Sequence, residues 1–133
     1  MRNYLEGTAT QKQRAYSPAV VTQGGRTVWL AGHTATQDAE GRDISYDFEA
    51  QVQQVFRDLD NTLHRAGGTL ADMVTMTVFI LDSRLGTRFT EMRREMFADG
   101  KYPASALITV SSFARPGIVI EIQGIAVIDA DTQ

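Results

Sequence analysis

The sequence predicts an α+β domain: a mixed or mostly antiparallel β-sheet with two helices packed on one face. Three observations carry this. Several short runs are β-branched or alternate with period two, two longer segments repeat their apolar residues with helical spacing, and the order of these segments interleaves them. Reading along the chain gives strand, strand, helix, strand, helix, strand, strand, with room for one more strand at the N-terminus. At 133 residues the chain has the length of one domain, spanning 1–133, and can bury a core without staples.

Each element has a local reason. "VVTQGGRTVWLAG" reads as a hairpin, with two β-branched runs around Gly24-Gly25, which supply the positive φ of a tight turn. "DISYDFEAQVQQVFRDLDNTLHRAGG" reads as a helix. Phe48, Val52, Val55, Leu59 and Leu63 fall on one face, Asp47 or Ser45 caps the start, and Gly67-Gly68 stops it. "DMVTMTVFILD" (72–82) is a strand in which Val74, Met76, Val78 and Ile80 alternate with Met73, Thr75, Thr77 and Phe79. "LGTRFTEMRREMFAD" is a second helix, with Leu85, Phe89, Met92 and Met96 on one face. "SALITVSSF" and "GIVIEIQGIAVI" are strands separated by a turn at Arg115-Pro116-Gly117.

Two helices cover only one face of such a sheet, so the other should be polar. It is only half so: Val119, Ile125 and Val127 share a face with Glu121 and Gln123, and the 73–81 strand is apolar on both sides. An uncovered, half-apolar sheet face is an interface signal, and the patterning points to a homo-oligomer in which sheets pack against sheets.

Composition excludes several functions. Hydrophobic content of 43% and charged content of 22% are those of an ordinary globular protein. A net charge of −3 leaves no nucleic-acid footprint. The best basic cluster, Arg88, Arg93 and Arg94, is interleaved with Glu91 and Glu95 and reads as a solvated helix face. The absence of cysteine removes disulfides, thiolate catalysis and Cys-based zinc sites. "MRNYLEGTATQ" has no apolar core of a signal peptide and no run approaches a membrane span, so a cytoplasmic protein without a membrane partner is expected.

The chain has no phosphate-binding glycine loop, dinucleotide fingerprint or nucleophile elbow. His33 and His64 lie in different elements, neither with a partner at metal-ligand spacing; His33 follows Gly32 at a strand end and is a candidate pocket residue, and His64 closes a helix. Glu121 stands out because it lies inside the most hydrophobic strand. It is either exposed on the strand's polar face or partly buried to act as an acid or base.

"YPASALITVSSFARPGIVIEIQGIAV" resembles the signature region of the reactive intermediate deaminase (Rid/YjgF) family. "AYSPAV", "LAGHTA" and "DFEAQVQQVFRDLDNTLHRAGGTLADMVTMTVFILD" extend the resemblance from Tyr16 to Val127 with the family's order and spacing. The resemblance implies a chorismate-mutase-like fold and a homotrimer whose sheets form a central barrel, with ligand clefts between subunits. It implies hydrolysis of short-lived enamines and imines of small molecules to 2-keto acids and ammonia, with no metal and no organic cofactor. It places Glu121 as the catalytic carboxylate that handles water. It places Ala31 and Gly32 at a backbone step facing the ligand, Tyr16 as a pocket tyrosine reaching across a subunit boundary, Leu107 where strand backbone meets the ligand, and Thr90 where many members have asparagine.

One position departs from that pattern. Where the family's deaminases carry an arginine that grips the substrate carboxylate, this chain has Ser105, which supplies neither charge nor fork. Three explanations compete. Another arginine, Arg93 or Arg115, substitutes, although both read as surface residues. Or the cleft takes a substrate other than 2-aminoacrylate, larger or less acidic, such as an aminomuconate-type enamine, with Ser105 as a hydrogen-bonding group. Or the protein is a non-catalytic trimeric small-molecule-binding or regulatory relative. Ser105 also fits a strand-start residue that satisfies nearby backbone groups.

Overall fold

A computed structural model describes residues 1–129. In chain order it contains β1 (Arg2–Tyr4), α1 (Ala9–Gln13), β2 (Val20–Thr22), β3 (Arg26–His33), α2 (Phe48–Arg65), β4 (Met73–Ile80), α3 (Gly86–Met96), β5 (Ala104–Thr109) and β6 (Ile120–Ile128). Short 3-10 turns precede β4 and α3.

The main sheet has four strands in the order β3-β6-β4-β5. β6 pairs antiparallel with both β3 and β4, and β4 pairs parallel with β5. The parallel pair follows from connectivity, since α3 crosses over between these strands. The expected α+β class and mixed sheet are therefore present.

The expected hairpin at Gly24-Gly25 is not. Both glycines do have positive φ, 72° and 80°, but the flanking strands separate. β2 pairs with β1 in its own two-stranded ribbon, and β3 pairs with β6. Gly25 serves this divergence, because a Cβ there would come within 2.8 Å of the Ile128 carbonyl oxygen. The turn is local chemistry; the choice of partner is not.

α2 begins at its cap Asp47, whose side chain accepts from Ala50 N–H. Its apolar stripe, Phe48, Val52, Val55, Leu59 and Leu63, is buried as the spacing predicts. From α3, Phe89 and Met92 enter the same core, and Phe89 stacks on Phe56 with ring centroids 6.0 Å apart. Both helices cover the sheet face formed by Leu30, Met76, Val78, Ile80, Ile120, Ile122 and Ala126, all buried. Gln51 ties this layer to the turn before β6. It is fully buried, its amide donates to the Ile44 and Gly117 carbonyls at 2.9 and 2.7 Å, and its oxygen accepts from Val119 N–H at 3.0 Å.

Pairing register fixes what lies on the other face. Ile108, Phe79 and Glu121 form one cross-strand row, and Ala104, Thr75, Ile125 and Trp29 form another. No element among the described residues covers these rows. Trp29 is 77% exposed and Ile108 43%. The half-apolar face expected from the sequence is present, although β4 gives it two threonines and one phenylalanine rather than a continuous apolar edge.

Candidate functional site

The residues singled out in the sequence divide into two groups on opposite faces of one sheet. Ser105 pairs with Met76, and Leu107 with Val78, so both belong to the rows that face the helices. Glu121 pairs with Phe79 and belongs to the uncovered face. The sheet itself separates Ser105 from Glu121.

The first group forms around Glu121. The β3–β6 register slips between Leu30 and His33, so Ala31 and Gly32 sit in an irregular, exposed step. Gly32 is there for space. A Cβ would stand 2.0 Å from Glu121 Oε2, a separation no side chain tolerates, so the carboxylate lies across the bare backbone of Gly32. Glu121 is half-buried and makes no hydrogen bond or ion pair among the described residues. Its oxygens are available to an incoming water or ligand. Beside it, Trp29, Leu30, Ala31, Thr75, Thr77, Gln123, Gly124 and Ile125 line an open cavity of about 460 Å³. His33 is not part of this group. Its register places it with Ile122 on the helix side, where Nε2 lies 3.0 Å from Thr62 Oγ1 on α2 and Nδ1 2.7 Å from the Ala31 carbonyl.

The second group gathers at the β5 edge. The segment carrying Tyr16 docks alongside the start of β5: Ser17 N–H donates to Pro103 O, Ser17 Oγ donates to Tyr102 O at 2.7 Å, and Ser17 bridges Ala104 in parallel. Tyr16 is half-buried and borders a cavity of about 210 Å³ with Tyr4, Lys12, Ser17 and Tyr102. Ala15, just before it, is fully buried at φ 61°. A non-glycine residue held there costs on the order of 1–3 kcal/mol and persists only where the surroundings over-determine it. Thr90 is buried on α3, but its hydroxyl donates to the Thr87 carbonyl at 2.8 Å and is committed to the helix backbone.

Arg93 departs from the sequence reading. Interleaved charges suggested a solvated helix face, and Arg88, Arg94, Glu91 and Glu95 are indeed exposed. Arg93 is 1% exposed. It lies four residues after Phe89 and one after Met92, on the buried stripe of α3. Its Nη1 donates to Ser105 Oγ at 2.6 Å, its Nη2 donates to the Arg14 carbonyl at 3.1 Å, and its guanidinium sits 5.0 Å from the centre of the Phe89 ring. Nε has no partner, and Arg93 makes no salt bridge among the described residues. Burial lowers its pKa to about 10; the neighbouring Arg14 charge adds to the fall and Tyr16 opposes it. Arg14 also comes close: the point beside Gly86 where a Cβ would stand has Leu107 Cδ2 at 3.3 Å and Arg14 Nη2 at 3.6 Å. Arg115, the other candidate, is exposed on the turn before β6.

A signal for Arg93 was available in the i+4 spacing from Phe89, but charge type outweighed position. Nothing local could have paired it with Ser105, twelve residues away across a helix end and a loop.

Comparison with known proteins agrees with this architecture. Residues 7–128 match the family profile described as Endoribonuclease L-PSP. A RutC family protein of Pyrococcus horikoshii is 29% identical over 111 residues, covering 84% of this chain and 85% of that one. A solved structure of a Rid-family protein of unknown function from Yersinia pestis superposes with a TM-score of 0.80 at 27% identity, covering 96% of this chain and 98% of that one. That of RidA from an Antarctic Psychrobacter superposes at 0.70 with 32% identity, covering 85% and 88%.

Proposed function

Given that the chain belongs to the Endoribonuclease L-PSP (Rid/YjgF) family, we propose that it is an enamine/imine deaminase-type hydrolase with Glu121 as its acid–base group. The observation that carries this reading is the carboxylate of Glu121 lying over Gly32 on an uncovered sheet face, with no protein partner among the described residues to occupy it.

The chemistry asks little more of the protein. An enamine first tautomerises to its imine. The oxygen of a water bonds to the carbon of the protonated imine while the Glu121 carboxylate takes one water proton, and the C=N electron pair returns to nitrogen, leaving a neutral amine beside a new hydroxyl. Glu121 then returns that proton to nitrogen, the C–N bond breaks, and ammonia leaves as the hydroxyl gives its proton to the regenerated carboxylate and the carbonyl forms. One positioned carboxylate serves these transfers, a contribution of roughly 10²–10⁴ in rate. Binding across the Ala31–Gly32 step holds the substrate in line.

The placement of the two residue groups supports a site shared between copies. Within one subunit the sheet separates Glu121 from Ser105, Leu107, Arg93 and Tyr16, so a ligand touching both groups needs the uncovered face of one copy set against the β5 edge of another. A homotrimer with clefts between subunits satisfies this and buries Trp29, Ile108 and Ile125. The substrate is a small C–N compound other than 2-aminoacrylate, of the aminomuconate-enamine kind, because position 105 offers a hydroxyl and no guanidinium fork to grip a carboxylate directly. The net charge of −3 gives a nucleic-acid backbone no broad cationic surface.

The test is hydrolysis of freshly generated 2-iminopropionate and of an aminomuconate-type enamine, in competition with semicarbazide trapping. The wild type should accelerate release of the carbonyl product from the larger compound, and Glu121→Gln should lower kcat at least 100-fold. A wild type that turns over neither compound, while binding their products, would favour the non-catalytic alternative. A Glu121→Gln variant as active as wild type would remove Glu121 from the mechanism.

A further inference from the structure

A buried guanidinium without a carboxylate is costly, and Arg93 is one. The charged or titratable groups that act on it are Arg14 and Tyr16, and no acid ion-pairs with it among the described residues. Its fork is aimed instead at a hydroxyl. Ser105 Oγ accepts from Nη1 at 2.6 Å, and that short bond fixes how the serine can act. With its oxygen accepting from Arg93, the hydroxyl must direct its own proton elsewhere. Among the described residues the one acceptor for it is the Ala106 carbonyl at 3.5 Å, at the limit of a hydrogen bond. Ser105 is half-buried where Arg93 is closed off, so the hydroxyl is the part of this pair that a ligand can reach.

We propose that Ser105 and Arg93 form a recessed anion site, in which the Ser105 hydroxyl donates to a carboxylate of the ligand and Arg93, one hydroxyl behind it, supplies the positive charge. Ser105 is the contact. Arg93 is a positioning residue that acts through it: the guanidinium orients the hydroxyl outward, polarises it, and leaves uncompensated positive charge close to the bound anion. Arg14 strengthens the same bias. Its guanidinium lies beside Gly86, as Leu107 does, and has no hydrogen bond or ion pair of its own among the described residues. The strained backbone at Ala15 lies between the Arg14 carbonyl that accepts from Nη2 and Tyr16, and so belongs to the same assembly. This gives a geometric reason for a charge with no anion in the free protein: the ligand brings it.

The inference rests on the reading of the β5 edge as part of the ligand cleft and deepens it by naming the substrate class, a carboxylate-bearing compound rather than a neutral one. Binding separates the two. Pyruvate and cis,cis-muconate, each beside its neutral amide, are titrated into the wild type, Arg93→Met, Arg93→Lys and Ser105→Ala by calorimetry. In the wild type at least one carboxylate should bind tenfold or more tightly than its amide. The ratio should fall to within about twofold in Arg93→Met and in Ser105→Ala, and Arg93→Lys should recover part of it. A purely structural role for Arg93 would weaken acid and amide alike and leave the ratio unchanged. If Arg93→Met does not fold, Ser105→Ala, which leaves the guanidinium in place, decides. A wild type with no preference for either carboxylate, or a preference retained in both variants, overturns the proposal. Charge-dependent binding without any imine turnover would sink the hydrolase reading and leave this site standing; turnover without charge preference would do the reverse.

Discussion

At the scale of single residues, the molecule places two ionisable groups where neither has an ionic partner among the described residues. Glu121 lies across Gly32, and the fit is close enough that Gly32→Ala would drive a methyl into the carboxylate. That variant should reduce turnover as Glu121→Gln does while leaving the fold intact, because the step is exposed; circular dichroism beside kinetics checks both halves. Arg93 makes the opposite kind of statement. Replacing a buried, unpaired charge by an apolar chain of similar length is often neutral or stabilising, so Arg93→Met should melt at or above the wild-type temperature even as it loses anion preference. The pH dependence has a definite sign. Arg93 in the folded protein releases its proton near pH 10, below its value in the unfolded chain. Above that pH the unfolded state binds more protons, and stability rises with pH. The wild type should therefore gain on Arg93→Met between pH 9 and about 11 in denaturant titrations, with no relative change between pH 6 and 8.

At the scale of elements, the helices and strands are local and their attachments are not. α2 follows from its apolar period, its Asp47 cap and its glycine stop. The turn that leads into β6 is held by Gln51, whose amide serves three backbone groups at once. Gln51→Leu keeps the volume and removes all three bonds; the Ile44 and Gly117 carbonyls still accept from Asp47 and Tyr46 N–H, while the Val119 N–H loses its partner. A loss of about 1–3 kcal/mol is expected, read as a lower denaturant midpoint with an unchanged slope. The sequence makes α2 legible as a helix, but no signal in it singles out Gln51. The Gly-Gly turn was equally legible as a turn, yet its two strands joined different sheets, because β6 offers β3 a longer ladder than β2 can.

At the scale of the whole molecule, the decisive feature is an uncovered sheet face carrying Trp29, Phe79, Ile108 and Ile125 around Glu121. If copies assemble through it, Trp29→Glu should shift the protein to a smaller species in sedimentation velocity and abolish turnover together with assembly, although Trp29 touches no reacting atom. A Trp29→Glu protein that keeps the wild-type sedimentation coefficient would move the interface elsewhere. The proposed shared site makes the same demand, since within one chain the sheet holds Glu121 and Ser105 on opposite faces.

The sequence by itself determined the α+β class, the two amphipathic helices, the central strands, the half-apolar open face and the prominence of Glu121. These depend on periodicity and on residues close in the chain, and such signals survive without three-dimensional information. Tertiary structure alone decided that β2 and β3 part company, that Gln51 is a buried staple, that Ser105 and Glu121 face opposite ways, and that Arg93 is folded inward onto Ser105. Each of these is a pairing between distant segments. A charged side chain on a helix reads as solvated until the fold shows which stripe of that helix the core has taken, and for α3 the core took the stripe that includes Arg93.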